Sequence, residues 1–205
     1  MSGRYTIPGG RRRVEETRDR SRFVTTVDHA STVEEARAFI DEVSAEFPDA
    51  THNCWAYVVG PPGDTSRIGM SDAGEPHGTA GRPMLDVLLG SGLGDIAAVV
   101  TRYYGGRKLG RGGLVRAYGG GVKLALDGLP TAEFVLTTDL RIVLPYGAVS
   151  QFKNILPEFE ATTLDESYTT DATFQVRLPQ ERSEAFRQAL GGMTNGGAVV
   201  EPWEA

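Results

Sequence analysis

The chain has 205 residues, a net charge of −6, 40% hydrophobic and 23% charged residues, and a single cysteine, Cys54. That balance predicts a packed globular protein and excludes an intrachain disulfide or a cysteine-built metal cluster. No apolar run approaches the roughly 20 residues that span a bilayer, and the polar, arginine-rich start lacks the apolar stretch of a secretory signal, so a cytoplasmic protein with no membrane contact is expected.

The first segment, with Arg11, Arg12, Arg13, Arg18, Arg20 and Arg22, reads as a basic, irregular arm. Its interspersed Glu15, Glu16 and Asp19 favour a solvated terminal strand over a nucleic-acid contact. Phe23 to Val27 is β-branched enough for a strand. Ser31 with Glu34, and Thr32 with Glu35, both fit a capping box. Val33, Ala36, Ile40, Val43 and Phe47 then recur at helical steps until Pro48. Asn53 to Val59 predicts a strand, closed by Pro61-Pro62-Gly63, with Arg67 to Asp72 as its hairpin partner. Thr79 is placed to cap a helix running to Leu89, with Pro83 in its first turn. Ile96 to Tyr103 predicts a central strand, and a helical pattern runs from Leu114 to Leu126.

Gly128-Leu129-Pro130 looks like a linker dividing residues 1–130 from 131–205. Beyond it the expected order is strand (134–144), helix (148–156), strand (161–169), strand (172–178), helix (180–190) and strand (197–201). That βαββαβ order is the ferredoxin-like plan. Charge follows the same division. The first part balances 16 Lys/Arg against 16 Asp/Glu, whereas residues 131–205 hold five against eleven, net −6.

Between the central strand and its helix, residues 102–118 concentrate Arg102, Arg107, Lys108, Arg111 and Arg116 with no acid among them. Gly105, Gly106, Gly110, Gly112 and Gly113 lie between these cations. Strand, glycine loop and helix start is the arrangement in which bare amides and a helix dipole face an anion. Tyr103, Tyr104 and Tyr118 are interleaved, and aromatic faces with guanidinium groups suit unstacked bases. Tyr104 is the stacking candidate, and the Gly112 and Gly113 amides are further donors. No GxxxxGK[ST] is present, and no acid follows at the place a dinucleotide fingerprint requires. A bland reading stays open: glycines permit tight turns and close packing, with the cations simply solvated.

Two further groups of residues carry chemistry. Asp72, Glu75 and His77, within six residues of glycine-rich turn, could form an acid/base group or ligate a hard cation, but a structural turn capping the next helix is preferred. Cys54 beside His52 invites a thiol nucleophile, although a lone cysteine between Asn53 and Trp55 is more often simply buried.

Four segments, read in order, resemble the YigZ/IMPACT family: Ser21-Arg22-Phe23, Ala50 to Tyr57, Ser71 to Gly81, and Val100 to Tyr118. The resemblance implies an α+β protein of two domains, the first of the ribosomal-protein-S5 second-domain type and the second ferredoxin-like. That pairing is similar to neighbouring domains of elongation factor G, so RNA or ribosome contact is implied; eukaryotic relatives act in translational control, but through a partner that bacterial chains of this two-domain form lack. The resemblance carries over no catalytic residue, and neither a metal nor a cofactor is expected. The chain departs from the family pattern at Asn53, Ala73, His77, Arg107 and Arg111. Ala73 and Asn53 weaken a metal or acid/base site; the two arginines strengthen an anion site.

The leading expectation is a non-enzymatic RNA- or ribosome-binding protein in translation regulation. Its rivals are an enzyme or binding protein for a small phosphorylated or anionic ligand, and a protein-interaction adaptor in translational stress control with a protein partner in the translation machinery.

Overall fold

The computed structural model describes residues 3–203, which fall into two compact units. Residues 5–134 form one; residues 135–203, with 3 and 4, form the other. The division lies a few residues past the expected linker. Residues 3 and 4 join the second unit because Gly3 O accepts from Leu136 N at 2.7 Å and Arg4 meets Glu160 and Glu181 at 2.8 and 2.6 Å.

The first unit is built on a five-stranded antiparallel sheet of order β2-β3-β6-β4-β5, formed by β2 (Arg12–Arg18), β3 (Ser21–His29), β4 (His52–Val58), β5 (Ile68–Ser71) and β6 (Ile96–Tyr103). β6 is central, and its continuous apolar run follows from burial on both faces. One face packs Ala98 and Val100 with residues of α2 (Gly81–Leu89) and α3 (Gly110–Leu126). The other packs Ala97 and Val99 against Phe39, Ile40 and Val43 of α1 (Val33–Glu46). Each buried Val, Ile or Phe side chain here contributes about 1.5–3 kcal/mol by leaving water. β1 (Arg4–Pro8) pairs with β7 (Thr131–Val135) in a separate two-stranded sheet.

Three local expectations need correction. The arginine-rich first segment is not irregular: β2 pairs residue by residue with β3, from Arg12 opposite Val27 to Arg18 opposite Ser21. Of the two capping boxes, only Thr32–Glu35 supplies the cap of α1, with Thr32 Oγ1 accepting from Glu35 N at 3.1 Å. Thr79 does not cap α2, because its hydroxyl donates to Pro76 O at 2.6 Å. Asp72 caps α2 from outside the helix. Its Oδ1 accepts from Ala80 N and Gly81 N at 3.0 and 2.9 Å, and its Oδ2 accepts from Gly78 N at 2.7 Å.

The second unit follows the predicted βαββαβ order: β8 (Thr137–Leu144), α4 (Val149–Ile155), β9 (Thr162–Tyr168), β10 (Ala172–Pro179), α5 (Ser183–Met193) and β11 (Val199–Pro202). The sheet order β11-β8-β10-β9 is antiparallel throughout, the ferredoxin-like arrangement. Leu140, Ile142, Phe174 and Val176 meet Phe152 of α4 and Phe186 and Leu190 of α5 in one core. The alternate residues carry charge: Arg177 pairs with Asp139 at 2.7 Å and Arg141 with Glu201 at 3.1 Å.

Candidate functional site

The end of β6 sets the site. Arg102 lies opposite Phe23 on β3 and His52 on β4, and alternation sends its neighbour Tyr103 to the other face, where its hydroxyl donates to Asp49 at 2.9 Å. Past β6 the chain turns at Gly105, where a Cβ would stand 1.9 Å from the Arg20 carbonyl oxygen. Only glycine permits that approach between the loop and the β2–β3 turn. Gly110, with φ +71°, then starts α3, four residues ahead of the sequence expectation.

A cleft of about 540 Å³ opens here, lined by Thr51, His52, Glu75, Pro76, Arg102, Tyr104 and residues 108–111 and 114. At its base Glu75 and Arg102 form an ion pair, Nη1 to Oε1 at 2.5 Å, with side chains only 3% and 6% exposed. Tyr118, buried from α3, donates its hydroxyl to the same Oε1 at 2.7 Å. His52 Nε2 stands 4.0 Å from that oxygen. Its Nδ1 lies 2.8 Å from Ala73 O, and since a carbonyl only accepts, Nδ1 carries a proton. Arg102 Nη2 reaches Ser21 Oγ at 3.3 Å, and the guanidinium lies between the Phe23 and Tyr104 rings, 5.5 Å from each centroid.

Above this base lies the start of α3. Its N-cap, Leu109, has no side chain to cap the helix, so the amides of Gly110, Arg111 and Gly112 lack intrahelical acceptors. The sequence expectation paired Gly112 with Gly113; Gly113 is the first residue whose amide the helix itself uses, so only Gly112 of the two remains a donor. Lys108, Arg111 and Arg116 are exposed and have no carboxylate partner among the described residues, Arg111 Nη2 donating to His77 O at 2.8 Å. Arg107, 70% exposed, has one contact with Asp19 at 3.4 Å. Tyr104 is half-exposed and its amide donates to Thr51 Oγ1 at 3.0 Å.

Arg102 is thus corrected from an open phosphate contact to a buried, neutralised structural cation. Tyr118 is likewise core rather than platform. The Asp72, Glu75 and His77 group does not converge: Asp72 caps α2, Glu75 turns inward, and His77 is fully exposed, 3.6 Å from Asp72. Burial would raise the Asp72 carboxyl, but the Gly78, Gly81 and Ala80 amides outweigh it and hold it below the usual range. Cys54 is buried, its thiol donates to Asp72 O at 2.9 Å, and burial pushes it up to about 12, which removes it as a nucleophile. His52 lines the cleft, a place that its sequence neighbours do not reveal. The signal that could have found it is the face of β4 it shares with Cys54. No cluster of three His, Cys, Asp or Glu side chains among the described residues could hold a metal ion, and no helix among them is long and apolar enough to cross a membrane.

Residues 19–126 match the family described as the Impact N-terminal domain, and residues 142–196 match a domain of unknown function, DUF1949. The chain belongs to the IMPACT family. It is 42% identical to IMPACT family member YigZ of Escherichia coli K12 over 192 residues, 94% of each chain. It is 39% identical to an IMPACT family member of Haemophilus influenzae over 197 residues, 96% of each, and 36% identical to YvyE of Bacillus subtilis over 91% of this chain and 85% of that one. A crystal structure described as that of a hypothetical protein is similar across all of this chain and 98% of that one, with 40% identity and a TM-score of 0.72. Both matched domains of this IMPACT family chain therefore keep the order read from its sequence.

Proposed function

We propose that this IMPACT family protein binds RNA or the ribosome in translation regulation, without catalysis of its own, through residues 104–116. One contrast carries the reading. Of the six arginines between residues 11 and 22, Arg11, Arg13, Arg18 and Arg22 sit on carboxylates of their own chain, at 2.7, 2.7, 3.0 and 2.8 Å, while Arg12 donates to Gly128 O and Arg20 has no carboxylate partner among the described residues. Lys108, Arg111 and Arg116 have no such partner among the described residues, and Arg107 has a loose one. RNA phosphates would supply the missing charge, and the uncapped start of α3 adds amide donors and the positive end of its dipole. Residues 131–205, with a net charge of −6, repel a polyanion on average. Membership of the IMPACT family supports a translation-associated role for the family as a whole.

The test is anisotropy with single-stranded RNA and co-sedimentation with ribosomes at low and fourfold higher salt. Four phosphate contacts predict a loss of about 50-fold in RNA affinity over that range. Arg107→Ala/Arg111→Ala is expected to lose most of the binding. Unchanged binding in that variant removes the site assignment, and no binding to RNA or ribosomes at low salt removes the function.

The cleft favours a second reading, a small phosphorylated or otherwise anionic ligand. Its 540 Å³ falls within the roughly 300–1,000 Å³ of small-molecule sites. Thermal shift against phosphorylated metabolites separates the two.

A further inference from the structure

We infer that the cleft receives one phosphorylated nucleotide, free or at the end of an RNA; the inference rests on reading residues 104–116 as a phosphate-contacting segment. The deciding atom is Glu75 Oε2. Oε1 of that carboxylate takes the Arg102 and Tyr118 hydrogen bonds and faces His52. Oε2 has no hydrogen-bond partner among the described residues. It is also absent from the sealed-in polar atoms that lack partners, such as Arg102 Nε, so it opens on the cleft that Glu75 lines. An acceptor on a side chain 97% buried calls for a donor, and a ligand hydroxyl or amino group supplies one.

The opposite wall asks for the reverse charge. The amides of Gly110 and Arg111 and the Lys108 and Arg111 side chains meet a phosphate, and Arg102 cancels the Glu75 charge that would otherwise repel it. Tyr104, 47% exposed and backed by the Arg102 guanidinium, is a face on which a base can stack. Inorganic phosphate satisfies one of these three demands. A nucleotide satisfies all three, and the cleft has room for one.

Calorimetry on the full chain would compare adenosine 5′-monophosphate, adenosine and inorganic phosphate. The nucleotide is expected to bind at least about tenfold more tightly than either part. Lys108→Ala/Arg111→Ala should reduce it to the level of adenosine, and Tyr104→Ala should weaken it about tenfold or more. Both variants alter exposed side chains and leave the core intact. Glu75→Gln, checked by thermal melting, should lower the ratio of nucleotide to phosphate affinity, because the uncancelled Arg102 charge favours both anions while only the nucleotide loses an acceptor for its hydroxyl or amino group. If Glu75→Gln fails to fold, the ligand comparison and Tyr104→Ala decide. Equal affinity for nucleotide and phosphate, or no saturable nucleotide binding below about 10 mM, overturns the inference.

Oligoribonucleotides with and without a 5′-phosphate separate an RNA end from a free nucleotide, with adenosine 5′-monophosphate as competitor. RNA binding that the nucleotide neither shares nor competes with sinks the inference and leaves the RNA reading standing. Nucleotide binding without RNA binding does the opposite.

Discussion

Arg102 and Glu75, 27 positions apart in sequence, form an ion pair at 2.5 Å with both side chains almost wholly out of water. The pair joins the central strand to the loop ahead of α2, and Tyr118 ties α3 to the same oxygen. The most cationic segment of the chain thereby spends one of its arginines on structure.

Breaking that pair from one side strands a buried charge. Arg102→Ala or Glu75→Ala is expected to destabilise the protein by about 3–5 kcal/mol. The double variant should cost much less than the sum, because neither charge is then orphaned. Urea denaturation of the four proteins measures the cycle, and strict additivity would contradict the pairing.

Asp72 makes stability depend on acid. Its carboxyl is held below its ordinary value of about 3.9, so its contribution is full above that value and lost as the pH falls through the lower, folded one. Asp72→Asn, which keeps one acceptor oxygen, is expected to cost about 1 kcal/mol at neutral pH. It should also flatten the decline below about pH 4. Denaturation midpoints against pH test both, and an unchanged acid limb would exclude Asp72 as its source.

Cys54 should be inert. With its thiol pushed up to about 12 and buried, a thiol reagent at pH 8 is expected to label it only in denaturant. Stoichiometric labelling of the native protein would reopen the nucleophile reading.

Two glycines of the loop should respond in opposite ways. Gly105→Ala drives a Cβ against the Arg20 carbonyl, so a loss of about 1–3 kcal/mol and weaker polyanion binding are expected. Gly112→Ala meets only the flexible end of Arg116 at 3.8 Å and sits in the first turn of α3. It should stabilise by up to about 1 kcal/mol and keep its amide donor, with binding unchanged. Thermal melts and anisotropy on both variants settle the contrast.

Much of the fold was legible because burial writes itself into periodicity. Ile96–Tyr103 reads as central because both faces of β6 are covered, and the alternation of Ala172, Phe174, Val176 and Leu178 reads as a half-buried strand because only one face of β10 meets helices. The start of α3 was misplaced because Gly110, Gly112 and Gly113 carry poor helix propensity, which packing of Leu114, Ala117 and Tyr118 overrides. The cap of α2 was misassigned because a local Thr79 looked sufficient, whereas the oxygen comes from Asp72 across a turn.

By itself the sequence determined the two-part α+β order, the family, and the gathering of cations between Arg102 and Arg116, since each is a property of neighbours along the chain. Tertiary structure alone decided which of those cations are open. Arg102 is quenched by Glu75 while Lys108 and Arg111 stand at the mouth of a cleft. Coulomb pairing depends on distance through space, and nothing in linear spacing records that a carboxylate 27 positions away will arrive within 2.5 Å.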